Sequence, residues 1–139
     1  MNKDTDYIVR YCRPTQCQDG IPCVTAFQLR KKNAKVDRPE DEKKLSVNHF
    51  EFYKTDNYKH ILQDVMSHGL QTNKNGCFAK IKYKSLETAI LSEMKILIDI
   101  IPEIDNSHCL ISNLYQNDIA ASYCFVDNIE EVVFIRDIE

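Results

Sequence analysis

The chain opens its first apolar run at Tyr7-Ile8-Val9-Arg10-Tyr11-Cys12, rich in β-branched and aromatic side chains, and stops it at Arg13-Pro14. That pattern predicts a first strand. Asp19-Gly20 supplies turn chemistry, and Pro22 bars a central strand at its own position. Residues 23–29, from Cys23 through Val24, Thr25, Ala26, Phe27 and Gln28 to Leu29, predict a second strand. Residues 30–44 are the most hydrophilic segment: Arg30, Lys31, Lys32, Lys35 and Arg38 precede Glu40, Asp41 and Glu42. This basic-then-acidic order predicts a solvated, mobile loop.

Leu45-Ser46-Val47-Asn48 ends the loop and leads into His49-Phe50-Glu51-Phe52-Tyr53. The segment is either a short strand followed by a helical turn or one short helix. The clearest helix follows, because Tyr58, Ile61, Leu62, Val65 and Met66 recur on one apolar face. Thr55 or Asp56 is positioned to cap its start and Gly69 to end it, while His60, Asp64 and His68 fall off the apolar face toward solvent. Asn75-Gly76 marks a turn. After it, Cys77, Ala79, Ile81 and Tyr83 alternate with Phe78, Lys80 and Lys82, which predicts a half-buried strand with a basic outer face. A helix is expected over residues 85–94, a buried strand over 96–101 closed by Pro102, and another strand over 109–112. A short helix over 117–125 and a last strand over 132–135 complete the pattern. Helices and strands alternate without a regular βαβ period. The expected fold class is therefore α+β, one compact domain over residues 1–139 with a mixed or antiparallel sheet and two to four helices.

Composition supports a packed core. The 139 residues suit one domain, with 43% hydrophobic and 28% charged side chains. A net charge of −3 argues against a general nucleic-acid or membrane-surface binder, although a local basic patch is compatible with it. No apolar run approaches the roughly 18 residues that a membrane span needs. The first six residues are polar and carry no leader pattern, so the expected location is cytoplasmic. The six cysteines are then expected as reduced thiols. Cys12, Cys17 and Cys23 cluster, but without a CxxC knuckle or a nearby histidine pair, so no metal is assigned to them and the question stays open. Cys77, Cys109 and Cys124 read as small core residues. No P-loop, GxGxxG, HExxH, GxSxG or EF-hand loop is present, and no cofactor is expected.

Three places could carry chemistry. Asp105-Asn106-Ser107-His108 is either a turn in which Asp105 and Ser107 bond backbone amides, or the setting of a general base or metal ligand at His108. Ser46 and Asn48 share one side of an extended segment, where they could aim two hydrogen-bonding groups at a ligand. They could equally cap the following turn, with Glu51 at the third position after Asn48. Arg10, inside an apolar strand, must face solvent, pair with an internal carboxylate or bind an anion.

The succession Asp19-Gly20, Thr25-Ala26-Phe27-Gln28-Leu29-Arg30, Leu45-Ser46-Val47-Asn48-His49-Phe50-Glu51, Gly76-Cys77-Phe78-Ala79 and Asp105-Asn106-Ser107-His108 resembles a family of small uncharacterised bacterial proteins. Those proteins carry a DG…AFRLR…LSVNWLE…GRFA…DPSHA order. The likeness covers about residues 7–113, with His49 in place of tryptophan, Cys77 of arginine and Asn106 of proline. It implies one domain and no established activity, and it draws attention to Arg30, Ser46, Asn48, Glu51 and His108 as matches to polar positions. Should these meet, they would line a cleft suited to an anionic or nucleotide-like ligand. Small bacterial proteins of this kind often act within multi-gene cassettes, including conflict or defence systems. The first expectation is thus an accessory component acting with a partner protein, with ligand contacts at Arg10, Arg30, Ser46 and Asn48. The alternative is a small enzyme on a nucleotide or phosphorylated substrate, such as an ADP-ribosyltransferase-like transferase, with Glu51 or His108 as acid/base.

Overall fold

The computed structural model describes residues 1–36, 38–114 and 119–138. Tyr7–Cys12 forms β1, and a small hairpin of β2 (Cys17–Gln18) and β3 (Ile21–Pro22) turns through Asp19 and Gly20, both in left-handed backbone. The remaining elements are β4 (Leu45–His49), α1 (Asn57–Ser67), β5 (Cys77–Lys82), α2 (Tyr83–Met94), β6 (Asp99–Pro102), β7 (His108–Ser112), α3 (Ile119–Asp127) and β8 (Ile129–Phe134). The main sheet has six strands in the order β6-β7-β4-β1-β5-β8, with every pairing antiparallel. The protein is a single α+β domain. Among the described residues, no helix is long and apolar enough to cross a membrane.

Strand alternation assigns the two faces. On one face Val9, Tyr11 and Phe78 pack under Ile61 and Val65 of α1, with Ile135 beside them. On the other, Ile8, Cys12, Val47, Ala79 and Ile81 meet Leu86 and Ile90 of α2 and Phe125 of α3. The sheet is thus the middle layer of three, and the central strands β1 and β5 are covered on both sides. Lys80 and Lys82 are the exceptions on β5, and the Lys80 ammonium lies 4.5 Å from the Tyr7 ring centre and 4.0 Å from that of Phe50.

Several local expectations are corrected by packing. Residues 23–29 do not add a strand: beside the stretch of β1 that β4 leaves unpaired, the Arg10 side chain bonds the Ala26 carbonyl. Val24–Phe27 instead forms a 3-10 turn that buries Ala26 and Phe27, with Phe27 stacked on Phe125 at 5.0 Å. Residues 96–101 do not form a fully buried strand: β6 is a sheet edge, where Ile100 is buried and Ile101 is exposed. Of the short helix expected over 117–125, Asn117 and Asp118 lie outside the described residues. Asp56 stands at the start of α1 in left-handed backbone and makes no side-chain cap bond. The adjacent Asn57 amide ties that entry instead, donating to the Phe50 and Tyr53 carbonyls. Gly69 takes the left-handed turn past α1, at φ 84°.

Cys17 Sγ lies 3.9 Å from Cys77 Sγ, and Cys12 stands opposite Cys77 across β1 and β5 with its thiol on the Arg10 carbonyl, so the cysteines that come together include a distant one. Cys23 Sγ points to the Ile21 carbonyl instead. Residues 30–44 are held by an Arg30–Glu42 ion pair, a Lys32 N–H to Asp41 bond and an Asn33–Arg38 bridge.

Gly76 enters β5 where Tyr11 passes. A Cβ at this position would stand 2.7 Å from Tyr11 Oη and 2.9 Å from the Cys12 carbonyl oxygen. Gly76→Ala is therefore expected to cost about 1–3 kcal/mol in urea denaturation, since backbone must move. An unchanged midpoint would mean that β1 yields freely at this point.

Candidate functional site

The site arises from an interrupted strand pairing. β1 meets β4 at Ile8↔His49 and Val9↔Asn48, and there the register ends. β4 continues against β7 as far as Leu45↔Ile111. Continued pairing would bring β1 backbone to the Ser46 carbonyl. The Arg10 side chain takes that place, with Nη1 donating to Ser46 O at 2.6 Å and Nε donating to Ala26 O at 2.8 Å. Among the described residues, no carboxylate lies within ion-pair distance of Arg10. Its guanidinium is half-buried against two neutral oxygens, and burial pulls its pKa down to about 10, which leaves it cationic at neutral pH.

A cleft of about 190 Å³ opens at this parting of strands. Ser46, Asn48 and His108 line it from β4 and β7, and Val65 and His68 from the end of α1. Arg10, Arg13 and Arg30 contribute three guanidinium-bearing side chains, and no carboxylate is among the lining residues. The lining thus carries guanidinium groups without a carboxylate of its own, while Glu42 behind it pairs with Arg30 and also attracts Arg10. Arg30 is fixed by Glu42, which accepts from its Nε and Nη2, both at 2.9 Å. Burial raises the Glu42 carboxyl and the Arg30 hydrogen bonds outweigh it, so the group titrates below the ordinary carboxylate range.

The floor of the cleft is held by a polar chain. Asn48 Nδ2 donates to Ser107 Oγ at 2.9 Å, and Ser107 donates to Asp64 from both its hydroxyl (2.6 Å) and its N–H (3.0 Å). Tyr53 Oη donates to the same carboxylate oxygen at 2.7 Å. Burial pushes the Asp64 carboxyl up, but these bonds more than reverse it and hold the group below its usual range. Asp64 therefore does not face solvent as the helix period predicts. It pins α1 to the segment that enters β7.

At the rim, His108 Nδ1 lies 2.6 Å from Glu103 Oε1 and Nε2 lies 3.3 Å from Ser46 Oγ. The hydrogen bond with His108 lowers the Glu103 carboxyl. The His68 ring lies against that of His108, centres 4.5 Å apart, and its Nδ1 donates to the Asp64 carbonyl at 2.9 Å. His68, Glu103 and His108 each offer an atom within 4.8 Å of the others, a set with the composition to hold a divalent cation.

Arg10, Arg30, Ser46, Asn48 and His108, five of the six candidates named from the sequence, border one cleft. Glu51 does not: it accepts the Tyr7 N–H at 2.8 Å, at the other end of β1. The capping reading of Ser46, Asn48 and Glu51 is also replaced, since Asn48 bonds Ser107 and Glu51 bonds Tyr7. The turn before β7 is set by Asn106, whose Oδ1 accepts the His108 N–H, and Ser107 bonds Asp64 rather than turn backbone. Arg13, His68, Asp64 and Glu103 had no local signal, because each becomes relevant only through a neighbour from another element. The chain matches no protein-family model, no curated protein and no solved structure.

Proposed function

We propose that this protein binds a small phosphate-bearing anion in the cleft between the end of α1 and the parting of β1 and β4. Arg10 carries this reading. A half-buried guanidinium bonded to neutral carbonyls has a desolvation cost that a carboxylate in contact would ordinarily offset. A bound anion would add to the attraction that Glu42 exerts on Arg10 from beyond ion-pair distance, and its oxygens suit the guanidinium N–H groups that the two carbonyls do not use. Arg13 adds to the attraction, with Arg30 beside it offset in charge by Glu42, while the cleft's 190 Å³ suits a phosphate group with the rest of a nucleotide-like ligand extending outward. This function fits an accessory component that senses or carries a small ligand while working with a partner protein. The ADP-ribosyltransferase-like alternative needs an arginine, a serine and Glu51 together, and Glu51 sits at the far end of β1.

The test is thermal melting with orthophosphate, pyrophosphate and AMP, against chloride at equal ionic strength. A ligand at a hundredfold over its dissociation constant is expected to add about 2.7 kcal/mol of stability. Arg13→Ala and Arg30→Ala are expected to weaken the response severalfold each. The absence of any shift with all three anions would reject the reading.

A further inference from the structure

Glu103, His108 and Ser46 come from the β6–β7 connection, β7 and β4, and they form a continuous relay at the cleft wall. A carboxylate oxygen and an unprotonated ring nitrogen do not approach to 2.6 Å, because both are acceptors. The hydrogen therefore sits on His108 Nδ1 and is donated to Glu103. In the neutral ring the lone pair is then on Nε2, the nitrogen that faces Ser46 Oγ at 3.3 Å. Ser46 is exposed to the cleft, and His68 packed on the imidazole restrains the ring in its plane. Nucleophile, base and base-orienting carboxylate thus stand in the order that activates a serine hydroxyl.

We infer that the cleft is a phosphomonoester hydrolase site in which Ser46 is the nucleophile, His108 the general base and acid, and Glu103 the residue that positions His108. This rests on the reading of the cleft as an anion site. The substrate class follows from the surrounding charge. Guanidinium groups suit negative charge shared over the non-bridging oxygens of a phosphoryl group in transfer, and three arginines border the same cleft as Ser46.

In the first step Ser46 Oγ bonds to phosphorus while its proton passes to His108 Nε2. The bond from phosphorus to the leaving alcohol oxygen breaks, and that oxygen takes the proton from Nε2. Water then attacks the phosphoserine and gives a proton to Nε2. The Oγ–P bond breaks, Oγ recovers the proton, and inorganic phosphate leaves. Atoms and charge balance with water as the sole co-reactant.

The same wall could be used differently. A divalent cation on His68, Glu103 and His108 would take one nitrogen of His108, and so either the Nδ1 that donates to Glu103 or the Nε2 lone pair that faces Ser46. The relay and the metal site are therefore exclusive, and one experiment separates them. Hydrolysis of p-nitrophenyl phosphate is followed in a chelator-containing buffer, with acid-quenched samples analysed by intact and peptide mass spectrometry. The expected result is turnover by the wild type and a phosphoryl group on the Ser46 peptide. Ser46→Ala and His108→Ala should each lose at least about a hundredfold in kcat/KM. Ser46→Ala removes an exposed hydroxyl, so its melting temperature should match the wild type and serve as the folding control. Glu103→Gln should lower kcat with KM unchanged, and Glu103→Asp should recover part of it.

No turnover, with orthophosphate still stabilising the fold, would overturn the relay and leave the anion site standing. Turnover that survives Ser46→Ala, or that appears only with added zinc or manganese, would also overturn it, the latter assigning the wall to a metal. Loss of the orthophosphate response as well would remove the underlying anion reading.

Discussion

Replacing Arg10 with methionine is expected to abolish stabilisation by orthophosphate and to lower the stability of the free protein by about 2–4 kcal/mol. The two effects have separate causes. Methionine has nearly the reach of the arginine stem and keeps its packing, but it leaves the Ser46 and Ala26 carbonyls without the donors they now meet at 2.6 and 2.8 Å. Such acceptors at a half-buried strand junction lose a charged partner, and each lost bond of that type costs on the order of 1.5–3 kcal/mol before water compensates. The anion response disappears because the central cation is gone. Arg10→Lys separates the roles: an ammonium keeps the charge but cannot span two carbonyls with a planar fork. It is expected to retain a weakened phosphate response with most of the stability loss. Urea denaturation with and without phosphate measures both quantities. A full phosphate response in Arg10→Met would remove Arg10 from the binding site, whatever the change in stability.

Asp64→Asn should cost about 2–3 kcal/mol at neutral pH, and the penalty should depend on pH in a defined direction. One carboxylate oxygen receives the Ser107 hydroxyl, the Ser107 N–H and the Tyr53 hydroxyl, and bonds to a charged acceptor are the strong ones. Burial opposes ionisation and the hydrogen bonds favour it more, so the folded carboxyl titrates below its reference value of 3.8. A carboxyl depressed on folding adds stability that is complete above the unfolded value and is lost as pH falls through the folded one. The gap between wild type and Asp64→Asn is therefore expected to stay level from pH 7 to about 5 and to narrow below about pH 4. Asp6 and Glu42 are also depressed, but they are present in both proteins and cancel in the difference. A gap that stays constant down to pH 3 would show that the charge of Asp64 is not what joins α1 to the β7 entry.

Element types were legible wherever one local rule applied without a competitor. Tyr7–Cys12 is a strand, and Tyr58, Ile61, Leu62 and Val65 form the inner side of α1, whereas Met66, expected on the same face, is exposed; the segment left open between strand and helix is a strand at Leu45–His49. The failures share one cause. Residues 23–29 have strand-forming side chains, but Phe125 of α3 arrives from elsewhere to receive Phe27, so Ala26 and Phe27 are buried by a turn instead. Asp64 has the helix position of a solvent-facing residue, yet Ser107 and Tyr53 arrive from elsewhere to receive it.

Polar residues out of place in apolar surroundings were the sequence's own pointers to the cleft. Arg10 in a hydrophobic strand and Ser46 and Asn48 on one side of another needed partners that the local chain does not provide, and they face one concavity. The sequence by itself determined the apolar periods, the turn at Asp19-Gly20 and the misfit of Arg10, because backbone sterics and side-chain burial act over a few residues. Only the tertiary structure decided that β1 and β4 part after Val9↔Asn48, that Glu103 rather than Glu51 meets the histidine, and that Ser46 faces its other nitrogen. Those relations join residues up to 62 positions apart, and they depend on strand order and helix docking, which no local pattern of the chain encodes.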